Sequence, residues 1–503
     1  MGETRAPFAA LGGKTPEEVF GGLATPCYIL DEGQLRRNGE ILAGVAARTG
    51  CRMLLAQKAF SNYDCYPVLR PYLAGTEASG LFEARLGFEE MPSREVHVFC
   101  GAYRDDEFDE LLRYAGHIVF NSPAQLAKFG PQAKAAGKSL GLRINPECST
   151  QEGHAIYDPC APGSRLGTTR EQWDRLMTPE LIALLDGIHF HTLCEQDSDD
   201  LETTLGAVAE KFGDVLPRMK WLNMGGGHHV TRPGYDIPRL ERCIRFAQTQ
   251  WGVTVYLEPG EAWALNAGFL ASRVLDLTEN SGVKNAILDC SAACHMPDVI
   301  EMPYMPPLYG AEASENREQA AVVGSDPQIA PVIASGNDAA SERRQETSGD
   351  EEGAEASQDC HSEPCPEQGR RGSEESVSPP SENTDCHGQL CISSGSQICC
   401  TEACIFGPSL KSAHWPRNDK TNVYRLGGPS CLSGDVIGDY CFDRPLQIGD
   451  LVLFGDLAIY STCKNNTFNG MPLPQIWRRA EDGDLVKLTD FGYGDFRQRL
   501  GRR

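Results

Sequence analysis

Four features of this sequence carry groups whose types and spacing could act together chemically. Lys58 directly follows an apolar run, Arg52–Gln57 (RMLLAQ). A lysine at the end of a buried strand is partly desolvated, which lowers its proton affinity and frees its amine to form a Schiff base. His189 and His191 are two residues apart in Leu185–His191, so they share a face if that run is a strand. One of them could stack on a ring, and His189 reads as the hydrogen-bonded core histidine of the two. Gly225-Gly226-Gly227 presents backbone N–H groups with no Cβ to keep a phosphate away. Glu258, in Glu258-Pro259-Gly260, could hold a proton on a pyridine nitrogen. Singly, these features have plain readings: a loop lysine and a turn. Together they describe a site for pyridoxal phosphate, whose protonated ring is an electron sink.

The elements that must position these groups are short apolar runs separated by helical stretches. The runs are Arg52–Gln57, Gly75–Gly80, Val96–Cys100, His117–Asn121, Ser139–Asn145, Leu185–His191, Trp221–Gly225 and Thr254–Glu258. Between them lie Leu-, Ala-, Glu- and Arg-rich segments such as Asp106–Tyr114, Ala124–Phe129 and Arg170–Met177. Strands alternating with helices indicate parallel βαβ units, and eight of them match a TIM-type (β/α)8 barrel, spanning residues 25–265. Chemistry in such a barrel gathers at the C-terminal ends of the strands. Lys58, Glu77, Glu83, Arg143, His189, His191, Gly225–Gly227 and Glu258 all fall there. Beyond Ala267 the regular helices stop. Arg273–Leu277, Ala286–Asp289, Asp435–Asp439 and Asp450–Phe454 read as strands of a β-rich C-terminal domain over 266–310 and 411–480, which the early strand Cys27–Asp31 could join.

The chain has 503 residues and a formal net charge of −24, unevenly distributed. Residues 311–410 hold 19 Asp and Glu against 5 Lys and Arg, with 15 serines and a single aromatic residue, Phe406. So little apolar surface cannot offset the entropy of ordering the segment, which reads as a low-complexity disordered insertion. It also contains Cys360, Cys365, Cys386, Cys391, Cys399, Cys400 and Cys404, but lacks the core of a compact zinc module, so no metal is expected there. The net acidity argues against nucleic-acid binding, which needs clustered Lys and Arg. No run of about 18 apolar residues exists to span a membrane. The start, Met1-Gly2-Glu3-Thr4-Arg5, has no apolar signal core, so a cytoplasmic location with reduced thiols is expected.

Longer strings carry a family resemblance: TPCYILD, LLAQKAF, GTEASGLFEARLG, GLRINPE, GIHFHTLCEQ, NMGGGHH, LEPGEA, LDCSAACHMPDVIEMPY, YRLGGPSCLSGDVIGDY and TFNG. They resemble the alanine racemase-like, fold type III pyridoxal-phosphate decarboxylases, and most of all their carboxynorspermidine/carboxyspermidine branch. The resemblance implies decarboxylation of a carboxylated triamine in polyamine biosynthesis. It makes Lys58 the Schiff-base lysine and His191 the ring-stacking residue. Gly225, Gly226, Gly227 and Tyr460 become phosphate contacts, Glu258 the pyridine partner, and Arg143 a further cofactor contact. Cys431 is implied as the proton donor after carbon dioxide leaves. Glu301, Asp435 and Glu195 are implied as ligands of the distal amines, and a head-to-tail homodimer with shared sites is expected.

Two positions depart from the wider pattern. Ornithine- and diaminopimelate-type enzymes carry EPGR where this chain has Glu261, and the ornithine-type signature HVGS is replaced here by HTLC ending at Cys194. Phosphate binding then rests more on the glycines and Tyr460. Three alternatives remain: an ornithine- or diaminopimelate-type decarboxylase, a metal-dependent barrel hydrolase using His189 and His191, and a non-catalytic relative. The presence of Lys58, His191, Glu258 and Cys431 argues against the last.

Overall fold

The computed structural model describes residues 7–151, 157–314 and 422–501. Strand β1 (Cys27–Asp31) precedes eight strands that close into a parallel barrel: β2 (Arg52–Ala56), β3 (Gly75–Ala78), β4 (Glu95–Phe99), β5 (His117–Phe120), β6 (Ser139–Arg143), β7 (Gly187–His189), β8 (Trp221–Asn223) and β9 (Thr254–Leu257). Each lies within or against one of the eight runs read from the sequence. Their residues are buried on both faces almost throughout, as parallel strands covered by helices require.

Local signals start and stop the surrounding helices. Asp31 caps Glu32–Thr49 by accepting the Gln34 N–H at 2.7 Å, and Gly50 ends that helix at φ 72°. Asp236 caps Ile237–Trp251, which Gly252 ends at φ 71°. Inside the barrel, the Trp221 indole occupies space left by Gly187. A Cβ there would come within 2.0 Å of the ring.

The remaining strands form a nine-stranded mixed sheet: β10 (Gly268–Asn280), β11 (Val283–Leu288), β12 (Ala311–Ala313), β13 (Val423–Gly427), β14 (Val436–Phe442), β15 (Leu451–Gly455), β16 (Gln475–Arg479) and β17 (Leu485–Thr489) join β1. Its path runs β12-β14-β13-β11-β10-β1-β16-β17, with β15 also on β10. Cys27–Asp31 is thus a sheet strand, not part of the barrel. β17 and the helix Tyr493–Leu500 lie beyond the boundary at 480 read from the sequence. Among the described residues, no helix is long and apolar enough to cross a membrane.

The sheet reaches the barrel mouth through the turn after β15. Leu457 N–H donates to Gly268 O, the Asn266 N–H to Asp456 Oδ1 at 2.6 Å, and Tyr460 N–H to Ala59 O at 2.8 Å. Tyr460 is thereby pinned beside Lys58 with a left-handed backbone, φ 56°.

The acidic segment begins later than the sequence suggested, because Ala311–Ala313 is a strand pairing with β14. Residues 315–410, with the seven cysteines, lie outside the described residues. The chain leaves and re-enters on either side of β14, where Ala313 faces Tyr440 and Val423 faces Cys441. Two strand spacings, about 10 Å, separate these ends, a gap an extended chain spans in about three residues. Replacing 315–421 by an eight-residue Gly/Ser linker is therefore expected to preserve or slightly raise the melting temperature, because a shorter loop costs less entropy to close. A large fall in thermal melting would show that the segment holds the sheet together.

Candidate active site

A cavity of about 780 Å³ opens at the C-terminal ends of the barrel strands, and Lys58, Arg143, His191, Gly227, Glu258 and Tyr460 all line it. The structure thus brings together most of the cofactor residues expected from sequence. The Lys58 amine and the Tyr460 hydroxyl make no hydrogen bond with a described residue, so both are open to a ligand.

Glu258 sits at the floor, with its two oxygens held separately. Asn223 Nδ2 donates to Oε1 at 2.5 Å, and His189 Nε2 lies 3.0 Å from Oε2. Burial works against ionisation, but His189 and Asn223 outweigh it and hold the Glu258 carboxyl below its usual range. Glu77, wholly buried nearby, is pushed far the other way by burial and then by the Glu258 charge. The two carboxyls are driven apart, Glu258 toward the ionised form and Glu77 toward the protonated one. Burial, then the charges of Lys58 and Arg143, keeps the His191 imidazole neutral. Arg143 packs 4.6 Å over the Phe99 ring and donates to His191 O at 3.1 Å.

The three glycines do different work. Gly225 N–H donates to Asn223 Oδ1 at 2.9 Å, and Gly226 N–H to His191 Nδ1 at 3.0 Å. Neither residue lines the cavity. Of the three amides, only that of Gly227 has no partner among the described residues. Gly227 adopts φ 85°, and a Cβ there would lie 2.0 Å from Leu193 O. Of the three glycines expected to meet a phosphate, only Gly227 has an open amide in the cavity, while Gly225 and Gly226 orient Asn223 and His191. Burial first, then nearby carboxylates, keeps the Tyr460 hydroxyl protonated and able to donate. A ring nitrogen partner, a neutral stacking imidazole, an open amide and an open phenol fit a phosphorylated pyridine cofactor.

Acidic residues line the cavity as well. Glu195, Glu261 and Asp298 line this cavity and also an adjoining one of about 620 Å³. Glu261, where related enzymes carry arginine, pairs with His229. Burial lowers the His229 pKa, but the Glu261 hydrogen bond and charge raise it further, leaving it above its usual value.

Three residues expected at the site do not line this chain's own cavity. Asp435 is buried, and its carboxylate accepts from Ser291 Oγ at 3.0 Å, Ala293 N–H at 3.3 Å and Ser430 Oγ at 2.5 Å. It therefore organises its own loop and is not available to an amine in this chain. Glu301 does not line the cavity; it is half-exposed and meets Lys464 at 2.9 Å. Cys431 is exposed, with Sγ 3.4 Å from Asn469 Oδ1, and lines no wall of this cavity. His295 has a structural explanation: Nδ1 accepts from Ser291 N–H, and Nε2 lies 3.1 Å from Pro472 O.

No ligand-like convergence supports a metal hydrolase here, since His189 and His191 point their hydrogen bonds to Glu258 and Gly226. The group Glu95, His97 and His117 has metal-like spacing but lies at the opposite end of the barrel. Its imidazoles stack 3.9 Å apart at 7°, so their lone pairs run parallel instead of converging, and Arg52 already pairs with Glu95.

No family model matches the chain. A carboxynorspermidine/carboxyspermidine decarboxylase of Campylobacter jejuni is 34% identical over 94% of this chain and 98% of its own length. The chain belongs to the carboxynorspermidine/carboxyspermidine decarboxylase family. A carboxyaminopropylagmatine decarboxylase of Synechocystis sp. is equally similar, 34% identical over 95% of this chain and 96% of the relative. The crystal structure of the Campylobacter jejuni carboxynorspermidine decarboxylase with norspermidine superposes with a TM-score of 0.69 at 32% identity, covering 95% of this chain and all of that one. A diaminopimelate decarboxylase structure, at TM-score 0.64 and 15% identity, shares the fold.

Within this decarboxylase family fold, sequence reasoning missed Asn223 and Asp298. Both stand in strings that carried the resemblance, NMGGGHH and LDCSAACHMPDVIEMPY, but Asn223 carries no charge to draw notice and Asp298 is one acid among several nearby. Asn223 is fully buried and serves Glu258 and Gly225 at once. Asn223→Leu should cost about 1–3 kcal/mol of stability in denaturant unfolding, because it leaves a buried carboxylate oxygen and an N–H unpaired. An unchanged midpoint would mean that these bonds contribute nothing net.

Proposed function

We propose that this chain is a pyridoxal-phosphate-dependent decarboxylase of carboxynorspermidine or carboxyspermidine. The observation that carries this reading is one cavity in which Lys58, His191, Gly227, Glu258 and Tyr460 face an acidic wall of Glu195, Glu261 and Asp298. When bound, pyridoxal phosphate supplies an electron sink that lets a carboxylate depart as carbon dioxide.

The chain's own residues prepare that departure. Lys58 would hold the cofactor through its amine. Glu258, kept ionised by His189 and Asn223, holds a proton on the ring nitrogen. His191, neutral and oriented by Gly226, packs against the ring face. Gly227 N–H and the Tyr460 hydroxyl donate to the phosphate. Glu195, Glu261 and Asp298 meet the distal ammonium groups through charge-assisted hydrogen bonds, which run to about 1.5–3 kcal/mol each. The same wall suits a carboxylated agmatine derivative, the class of substrate named for the Synechocystis relative. An ornithine- or diaminopimelate-type activity is not favoured, since those structures share only the fold.

Cys431 returns the proton to the substrate carbon. It is exposed and away from this chain's own cavity, so the reading assigns it to the site of a second copy in a homodimer. Lys58→Ala and Cys431→Ser, each weakly active alone, should on mixing regain about a quarter of wild-type activity, the share of intact sites when the two kinds of subunit pair at random. Mixtures no more active than their parts would remove the shared site.

The cofactor is tested by absorbance. The purified protein should show a band near the visible edge that borohydride abolishes and that Lys58→Ala lacks. A colourless protein that takes up no pyridoxal phosphate would overturn the reading.

A further inference from the structure

Asp298 stands at the junction of the two cavities, but in the free chain its carboxylate is already occupied. Lys464 Nζ pairs with Asp298 and also meets Glu301 Oε2 at 2.9 Å. It lies 5.4 Å from the centre of the Tyr460 ring. Lys464 ends the short helix Ser461–Lys464, and its N–H bonds to Tyr460 O at 2.8 Å, so the residue that anchors the cofactor end also places this ammonium. A lysine head is a primary ammonium on a flexible alkyl stem, the same group that ends a polyamine. Its side chain remains 35% exposed, which leaves it room to swing away.

We propose that Lys464 is a tethered stand-in for the terminal ammonium of the polyamine: it neutralises Asp298 in the free enzyme and is displaced when substrate docks. This rests on the polyamine decarboxylase reading above. Decarboxylation removes one negative charge, so the product is more cationic than the substrate. An acidic wall alone would hold the product more tightly than the substrate and slow its release. A built-in ammonium competes with both ligands and lowers their apparent affinity by the fraction of enzyme it occupies. Because it returns to Asp298 as the product leaves, no half-buried carboxylate is stranded.

The test is isothermal titration of the holoenzyme with norspermidine at fixed ionic strength, together with the product-inhibition constant. Lys464→Met should bind norspermidine about tenfold more tightly than wild type, which corresponds to about 1.4 kcal/mol. Product inhibition should tighten in parallel. Lys464→Arg should resemble wild type, and Asp298→Asn added to Lys464→Met should abolish the gain. If Lys464→Met misfolds, Lys464→Gln serves the same comparison. Binding by the neutral variant that is equal to or weaker than wild type would overturn the proposal, making Lys464 a structural support for Asp298. A wild-type holoenzyme that binds no polyamine would overturn the underlying functional reading as well.

Discussion

Glu258 is buried at the end of β9 and remains a carboxylate only because His189 on β7 and Asn223 on β8 each hold one of its oxygens. Burial alone pushes a carboxyl toward its protonated form, as it does at Glu77 nearby. The consequences spread through hydrogen bonds. Asn223 also receives Gly225 N–H, the next amide along fixes His191, and the third is left facing the cavity. Three neighbouring strand ends therefore set, together, the charge of Glu258, the orientation of the His191 imidazole and the open Gly227 amide. This network needs the parallel register β7-β8-β9, so the barrel is the condition for the chemistry.

The nine-stranded sheet supplies what the barrel lacks. Its β15 turn carries Tyr460 and Lys464 to the mouth, tied down by bonds to Ala59 and Asn266. Asp298 arrives from the segment after β11, and Glu261 from the turn after β9. The acidic wall is thus assembled from both parts of the fold, and net charge says little about it. The replacement of arginine by Glu261 is absorbed locally by His229, so the mouth exchanges a fixed cation for an ion pair that can face a cationic substrate.

The barrel was legible because eight apolar runs recur at βαβ spacing, and strand-end position alone selected Lys58, Arg143, His191 and Glu258. Other features have no local signature. Asp435 looks like an acid for an amine, but its partners Ser291 and Ala293 are far away in sequence. Asp298 reads as one acid among several until the fold turns it inward. Composition located the acidic segment but could not see that Ala311–Ala313 pairs with β14, since pairing is a long-range property. For the same reason, the polar strands β16 and β17 escaped notice at the chain's end.

The central claim is that this mouth selects a carboxylated polyamine. The most direct measurement is carbon dioxide release from carboxynorspermidine, carboxyspermidine, diaminopimelate and ornithine under identical conditions. The account predicts kcat/KM values for the two carboxylated triamines within about one to two orders of magnitude of each other, as one methylene allows, and both well above those for the two shorter substrates. Preferred turnover of diaminopimelate or ornithine would contradict it.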